Sequence, residues 1–409
     1  MILFIKGEFM QYKNLEKFFY NSKQEYEEKY AEYFNGLATQ KLDFEINGNQ
    51  AFYVCAQEVT KLLYDIMQAN RKLDRICNSL PGVALSQYRR NRLIDEINIT
   101  NEIEGVHSTK REISDILDNI ISKDKSLRFL NLVKKYERIM DGDEISLHTC
   151  EDVRKLYDEI VLPEVVAECP NNRPDGKYFR KSSVSVWSNK QQQIHVGIMP
   201  EEAINNAMDK ALAILNDNNG NRLINIAIFH YLLGYIHPFY DGNGRMNRFI
   251  SSYMLSKELN YLISYGLSTV IKENKARYNK LFNITNNKIN RGDLTLFILN
   301  FLEFIKISLL HMADKLEEKA VRLDYYEAVL QKIYKGKEKY FNVIFYLLQN
   351  TLFGFEGLKM TDLKDMLLFS YPVIKNVLEE NKDIVVSKKI GKRDVYSINL
   401  RELDKVDME

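Results

Sequence analysis

The apolar positions of this chain recur mostly at helical spacing. From Tyr12 to Tyr33, Glu, Lys and Tyr repeat in a pattern that predicts an amphipathic, partly exposed helix. A helical stretch is read from about Ala51 to Asn78, with Pro81-Gly82 breaking it. Leu85, Tyr88, Leu93, Ile97 and Ile103 then recur at roughly helical spacing, and Gly105 is well placed to end that run. Thr109-Lys-Arg-Glu112 has the form of a capping box, followed by Ile113, Ile116, Leu117 and Ile120 on one face. Leu223 to Ile236 is apolar nearly all round, which predicts a helix buried at the centre of its domain.

Two stretches depart from this period. Pro170 to Pro200 holds Pro170, Pro174, Gly176 and Pro200 around an alternating Ser182-Ser-Val184-Ser-Val186-Trp187. Ser188-Asn189-Lys190 supplies turn residues and Ile194-His195-Val196 a returning strand, so a β-hairpin is predicted there. Near the C-terminus, helices are predicted over Tyr340–Leu348, Met360–Leu368 (with Thr361 as its cap) and Tyr371–Glu380. Two short strands follow, Ile384–Val386 and Ile390–Ile398 around a tight turn. Three helices and a hairpin outline a winged helix-turn-helix.

Composition supports a mainly α chain. Only 7 Pro and 18 Gly punctuate 409 residues, too few for a sandwich or barrel. At 45% hydrophobic and 28% charged the chain excludes disorder. A formal charge of +1 argues against a general binder of polyanions, while leaving room for a local patch. Cys55, Cys77, Cys150 and Cys169 form no C-x-x-C pair, so neither a zinc site nor a redox motif is expected and a reducing cytoplasmic setting is. Met1–Lys6 lacks the features of a signal peptide, and no run of about 18 uncharged apolar residues predicts a membrane span.

The chemistry concentrates after the buried helix, in His237-Pro238-Phe239-Tyr240-Asp241-Gly242-Asn243-Gly244-Arg245-Met246-Asn247-Arg248. Glycines ahead of a helix free backbone N–H groups to face an anion, and the helix dipole favours negative charge there. Gly242 and Gly244 carry no Cβ to block a phosphate. Asp241 offers a hard oxygen to Mg²⁺, which commonly bridges carboxylate and phosphates. Arg245 and Arg248 lie near one face of the following helix and can clamp phosphate oxygens. His237, at a helix end, can take a proton from an attacking hydroxyl. The rival reading is that Asp-Gly-Asn-Gly is ordinary turn chemistry.

The segment resembles the signature of the Fic (Fido) family, His-x-Phe-x-Asp/Glu-Gly-Asn-Gly/Lys-Arg-x-x-Arg, with every specified position filled. The resemblance implies a Fic-type helical core with a β-hairpin flap, and transfer of AMP from ATP to a Ser, Thr or Tyr hydroxyl of a protein. It makes His237 the base, Asp241 the Mg²⁺ ligand, and Gly242, Asn243 and Gly244 the phosphate loop. Arg245 and Arg248 would hold the outer phosphates, and Phe239 would anchor the core. Tyr178-Phe179-Arg180 through Pro200 resembles the family's flap, with Val184, Val186, Ile194, His195 and Val196 on its strands, which pairs with a target by strand addition. Tyr278, in the helical region Ser268–Leu281 ahead of Gly292–Thr295, matches a tyrosine that lies near the base in relatives.

Thr100-Asn-Glu-Ile-Glu104-Gly105 fits the family's inhibitory motif, Ser/Thr-x-x-x-Glu-Gly/Asn, which implies that Glu104 pairs with Arg248 and withdraws it from ATP. A reactive centre misplaced by ~1 Å can cost roughly 100-fold in rate. His230 is read as a satisfied core histidine, and His107, His148, His195 and His311 show no zinc spacing. The implied organisation is an N-terminal helical region at 1–110, a Fic core at 111–310, a linker helix at 311–337 and a winged helix at 338–409. That last part carries 11 basic and 12 acidic residues, an excess of one acid. Its balance favours contact with protein or dimer support over DNA, despite Lys388, Lys389, Lys392 and Arg393 on the wing. The implied partners are a target protein, including the chain itself, and a second copy in a homodimer. Two rivals stay open: removal of AMP at the same site, and a DNA-binding regulator whose core senses nucleotide.

Overall fold

The computed structural model describes residues 12–118, 128–140, 143–187, 193–390 and 393–407. The fold is mainly helical with three small sheets among the described residues. It divides into two units. One runs to Asn70 and takes in Glu96–Leu309; the other comprises Arg71–Asp95 and Leu310–Glu409.

The first unit is built around the helix Arg222–Ile236, where every residue from Leu223 to Ile236 except Gly234 is buried. Asn221 caps it by accepting from the N–H groups of Leu223 and Ile224 at 3.1 and 3.3 Å. The helix packs between Glu201–Asn216 and Asn243–Glu258. The all-round apolar run therefore forms what its pattern predicted.

The region before Gln57 corrects the helical reading of Ala51–Asn78. Thr39–Ile46 and Asn49–Val54 pair antiparallel, and the helix spans only Gln57–Ser79. Asn47 and Gly48 both have positive φ, 52° and 76°, as a tight hairpin turn requires. Phe52 then extends the edge: its N–H donates to the Gly292 carbonyl (3.0 Å) and its carbonyl accepts from Leu294 (2.8 Å). The predicted helix over Tyr12–Tyr33 is two helices, Leu15–Phe19 and Lys23–Asn35, because Ser22 caps the second through Glu25 N–H at 3.0 Å.

Gly82–Ile103 is one helix starting after Pro81, and Gly105 takes φ +77° just beyond it. Thr109 Oγ1 accepts from Glu112 N–H at 3.1 Å ahead of the helix Lys110–Asp118; Ile120 lies outside the described residues. The predicted hairpin is formed by Ser185–Trp187 and Gln193–Val196, in the register Ser185↔Val196 and Val186↔His195. Its turn, 188–190, lies outside the described residues. Thr295–Ile333 is a single 39-residue helix, long and apolar enough to cross a membrane by length and composition; 67% of its most apolar window is buried inside the protein.

In the second unit the helices Glu338–Phe353, Met360–Leu367 and Tyr371–Glu380 precede the strands Val385–Ile390 and Arg393–Ile398. Leu358–Lys359 adds a third strand beside Arg393–Ile398. Ile390 thus closes the first strand instead of opening the second. The predicted cap at Thr361 is corrected: Thr361 lies inside its helix, and the Asp362 carboxylate reaches back to Lys359 N–H at 2.9 Å. A closing helix, Leu400–Asp407, was not anticipated.

Candidate active site

The buried helix ends at Ile236, and His237 turns the chain in the left-handed region at φ 52°, ψ 61°. A helix end leaves carbonyls to be satisfied. Here Leu233 accepts from His237 N–H, Tyr235 from the His195 ring at 2.6 Å, and Ile236 from Ile198 N–H. The Gly234 carbonyl faces the His237 ring. A neutral imidazole keeps one of its ring nitrogens as an acceptor. Burial first, then the charges of His195 and Arg180, push the His237 imidazole down to about 4, so near neutrality it is uncharged and has a lone pair open to a proton.

Phe239 anchors the loop. It is fully buried, stacked on Tyr157 at 3.6 Å between ring centroids, and meets Phe179 edge-on. Asn243 is placed as a staple: its side chain accepts from Phe239 N–H (3.0 Å) and donates to the Phe239 carbonyl (2.8 Å). Gly242 sits at φ +77°, where a Cβ would meet Val161 Cγ1 at 2.2 Å, so both conformation and packing demand glycine. Asp241 accepts from Gly242 N–H at 2.5 Å, and Tyr157 holds its carbonyl.

The helix Asn243–Glu258 begins at this loop and carries both arginines inward, with Arg245 3% and Arg248 2% exposed. Arg248 donates from Nε to Thr100 Oγ1 (2.8 Å) and from Nη2 to the Thr100 carbonyl (3.0 Å), and pairs with Glu104 Oε1 at 2.8 Å. Glu104 also fills the space over Gly244, where a Cβ would lie 2.2 Å from Oε1. Its carboxylate thus sits at the first turn of a helix, where an anion is favoured. Burial pulls the Glu104 carboxyl up, but Arg248 by charge and hydrogen bond, with Arg245 and Lys275 behind it, holds it below its ordinary value. Thr100, Glu104, Gly244 and Arg248 are therefore one cluster, and Gly105 supplies the positive-φ exit from the Glu104 helix.

Arg245 Nε is buried without a hydrogen-bond partner, an orphaned donor on a cation beside the glycine loop. Such a group calls for an anion. A lone Asp241 carboxylate suits Mg²⁺, which takes most of its oxygens from phosphates and water. Among the described residues no group of three His, Cys, Asp or Glu is placed to hold a metal alone. These features fit a Mg²⁺–nucleotide.

Tyr278 directs its hydroxyl to His230 Nε2 at 2.7 Å, and His230 Nδ1 meets Ser251 Oγ at 2.7 Å. Its hydroxyl is thus engaged in the core. Burial, then Arg248, pushes His230 down to about 3, a satisfied neutral core histidine. On the hairpin, His195 is tied to the helix end, Val184 is half-buried and Val196 is 44% exposed. The side chains of Val186, Trp187 and Ile194 lie outside the described residues. Sequence reasoning missed the role of Arg180, which is fully buried and donates to the His237 carbonyl. It also missed Glu201, which accepts from Tyr178 and Phe179 N–H at 2.8 and 3.0 Å. No local pattern marks either, because both act on backbone groups.

Residues 148–255 match the Fic/DOC family. The chain is similar in fold to a Fic family protein from Desulfovibrio desulfuricans, at 20% identity and a TM-score of 0.51 over 85% of this chain and 97% of that one. It also matches a Fic domain containing signaling protein from Bacteroides thetaiotaomicron, at 18% identity and a TM-score of 0.44 over 62% of this chain and 95% of that one. Fic-1 from C. elegans matches at 18% identity and a TM-score of 0.44, over 63% of this chain and 72% of that one. The Fic family is one of protein AMPylators, typically nucleotidyltransferases that use ATP and Mg²⁺.

Proposed function

We propose that this protein, which carries a Fic/DOC-family domain, transfers AMP from ATP to a hydroxyl of a protein and is held in check by its own Glu104. The observation that carries the reading is the single cluster of a neutral His237, a Gly242–Gly244 loop and two buried arginines, one with an orphaned donor. His237 accepts the proton of the target hydroxyl, whose oxygen attacks the α-phosphorus as pyrophosphate leaves. Arg245 and, once released, Arg248 take the charge that builds on the departing phosphates. Asp241 would hold Mg²⁺, which supplies charge neutralisation at the same phosphates. The hairpin offers the edge on which a target segment can pair.

Inhibition is supported by the 2.8 Å contact between Glu104 and Arg248 and by the seat of Glu104 over Gly244. The carboxylate occupies Arg248 and places negative charge where phosphate oxygens would go. Glu104→Gly frees both. The test is labelling of a lysate and of the protein itself with radioactive ATP. Glu104→Gly should raise labelling about 100-fold over the unaltered chain, and adding His237→Ala should abolish it. Labelling that survives His237→Ala would sink the transfer reading; no gain with Glu104→Gly would sink the inhibition.

A further inference from the structure

Arg180 is a cation at 0% exposure, and no carboxylate pairs with it among the described residues. A buried charge without partners would be costly. Its partners are all carbonyls. Nε donates to His237 (2.9 Å), Nη1 to Ser182 (2.7 Å) and Nη2 to Ile198 (2.9 Å). Its own N–H donates to the Pro238 carbonyl at 3.2 Å. The guanidinium lies at the C-terminal end of the buried helix, where the dipole is negative and a cation is stabilised. Gly197 makes the room: a Cβ there would lie 2.2 Å from Arg180 Nη2 and 3.1 Å from His237 Cβ.

This places one rigid fork on three points. His237 is the residue whose ring is read as the base. Ser182 enters the hairpin Ser185–Val196, and Ile198 leaves it. We propose that Arg180 is the positioning residue of the His237 base, locking the base's backbone to both ends of the hairpin that seats the target. The inference rests on the reading of His237 as the base. Leu233 holds the His237 N–H from the helix side, and Arg180 holds its carbonyl from the hairpin side, so the left-handed turn that aims the ring is fixed at both of its backbone groups. A planar guanidinium fixes three acceptors at once, which a lysine cannot do.

The groups that face the His237 ring are His195, Arg180, Glu104 and the Gly234 carbonyl. Arg180 is therefore also a fixed positive charge near the ring. It disfavours the imidazolium form of the ring.

The experiment uses the full chain with Glu104→Gly as parent and adds Arg180→Lys or Arg180→Gln. Rates are measured at saturating ATP, and the His237 ring is titrated by NMR. Arg180→Lys should lower kcat about 100-fold through loss of aim and leave KM for ATP and the ring titration in place. Arg180→Gln should lower kcat similarly and raise the ring titration only slightly, since burial and His195 still hold it down. Parent-like kcat in Arg180→Lys overturns the proposal, even if Arg180→Gln fails to fold. A loss confined to KM for ATP also overturns it. If the parent transfers no AMP, the reading of function fails by itself. The ring titration and the His237 ring-to-hairpin NMR contacts in the Lys variant then decide the positioning role: retained contacts overturn it and lost contacts support it.

Discussion

Arg180 and Arg248 are both buried guanidiniums, yet they are buried in opposite ways. Arg180 spends its donors on three backbone carbonyls at the end of a packed helix and at the roots of a hairpin. None of these acceptors can leave without unmaking local structure. Arg248 spends its donors on Thr100 and on a side-chain carboxylate, that of Glu104, about a third exposed. That acceptor can swing away on a rotamer change. The difference teaches how a chain separates a permanent cation from an available one. Backbone acceptors commit a guanidinium to architecture; a removable carboxylate keeps one in reserve.

The sharpest way to break this comparison is to delete the reserved arginine. In a Glu104→Gly background, Arg248→Ala should lower AMP transfer by about 100- to 1000-fold, the cost of removing one donor from developing charge. The His237 ring should titrate as it does in the Glu104→Gly parent, because burial and the charges of His195 and Arg180 that hold it down are unchanged. Transfer rates and ring NMR on the same samples check both halves. Full activity in Arg248→Ala would reduce Arg248 to an anchor for Glu104.

A smaller effect sharpens the same point. Thr100→Val removes the Oγ1 that accepts from Arg248 Nε and leaves the Thr100 carbonyl in place. One hydrogen bond to a charged group, net, is worth about 1.5–3 kcal/mol, and the retained carbonyl and Glu104 contacts should hold the loss to the lower end. Basal self-labelling of the otherwise unaltered chain should rise about tenfold, the equivalent of 1.4 kcal/mol. The same substitution in Glu104→Gly should change nothing, since no latch remains to loosen. A rise in both backgrounds would mean that Thr100 restrains the arginine without the carboxylate.

The two arginines also mark what the sequence could disclose. The helix Arg222–Ile236 was legible because burial on every side leaves an unbroken apolar run. The loop His237–Arg248 was legible because its chemistry lies within twelve consecutive residues. The pairing of Glu104 with Arg248 spans distant parts of the chain and was legible only through the resemblance. The hairpin Thr39–Val54 was missed although Asn47-Gly48 announces it, because Ala51–Val54 was absorbed into the apolar period of the helix that follows. At Thr361 and Asp362 two capping residue types stand side by side, and periodicity does not choose between them. Arg180 left no trace, since a side chain that binds only carbonyls has no partner of recognisable type. Arg245 was named for its charge, and burial then exposed its orphaned Nε.

The smallest expected effect concerns acid, and it tests whether the reserve is released by pH. Glu104 is held below its ordinary value of 4.5, chiefly against the pull of burial, by Arg248. A carboxyl depressed in the folded state contributes its pairing fully above the unfolded value and loses it only as pH falls through the lower folded value. His237, pushed down to about 4 by burial and by the His195 and Arg180 charges, takes up its proton in that same acidic range. The condition that would free Arg248 therefore disables the base. Labelling by the unaltered chain should stay flat from about pH 7.5 to about pH 5, and Glu104→Gly should hold its rate over the same span because its histidine stays neutral. The ratio of the two rates across that range is the measurement. A rise confined to the unaltered chain would show the ion pair opening before the base is protonated, and would make Arg248 a pH-released group instead of one awaiting movement of Glu104 by some other force.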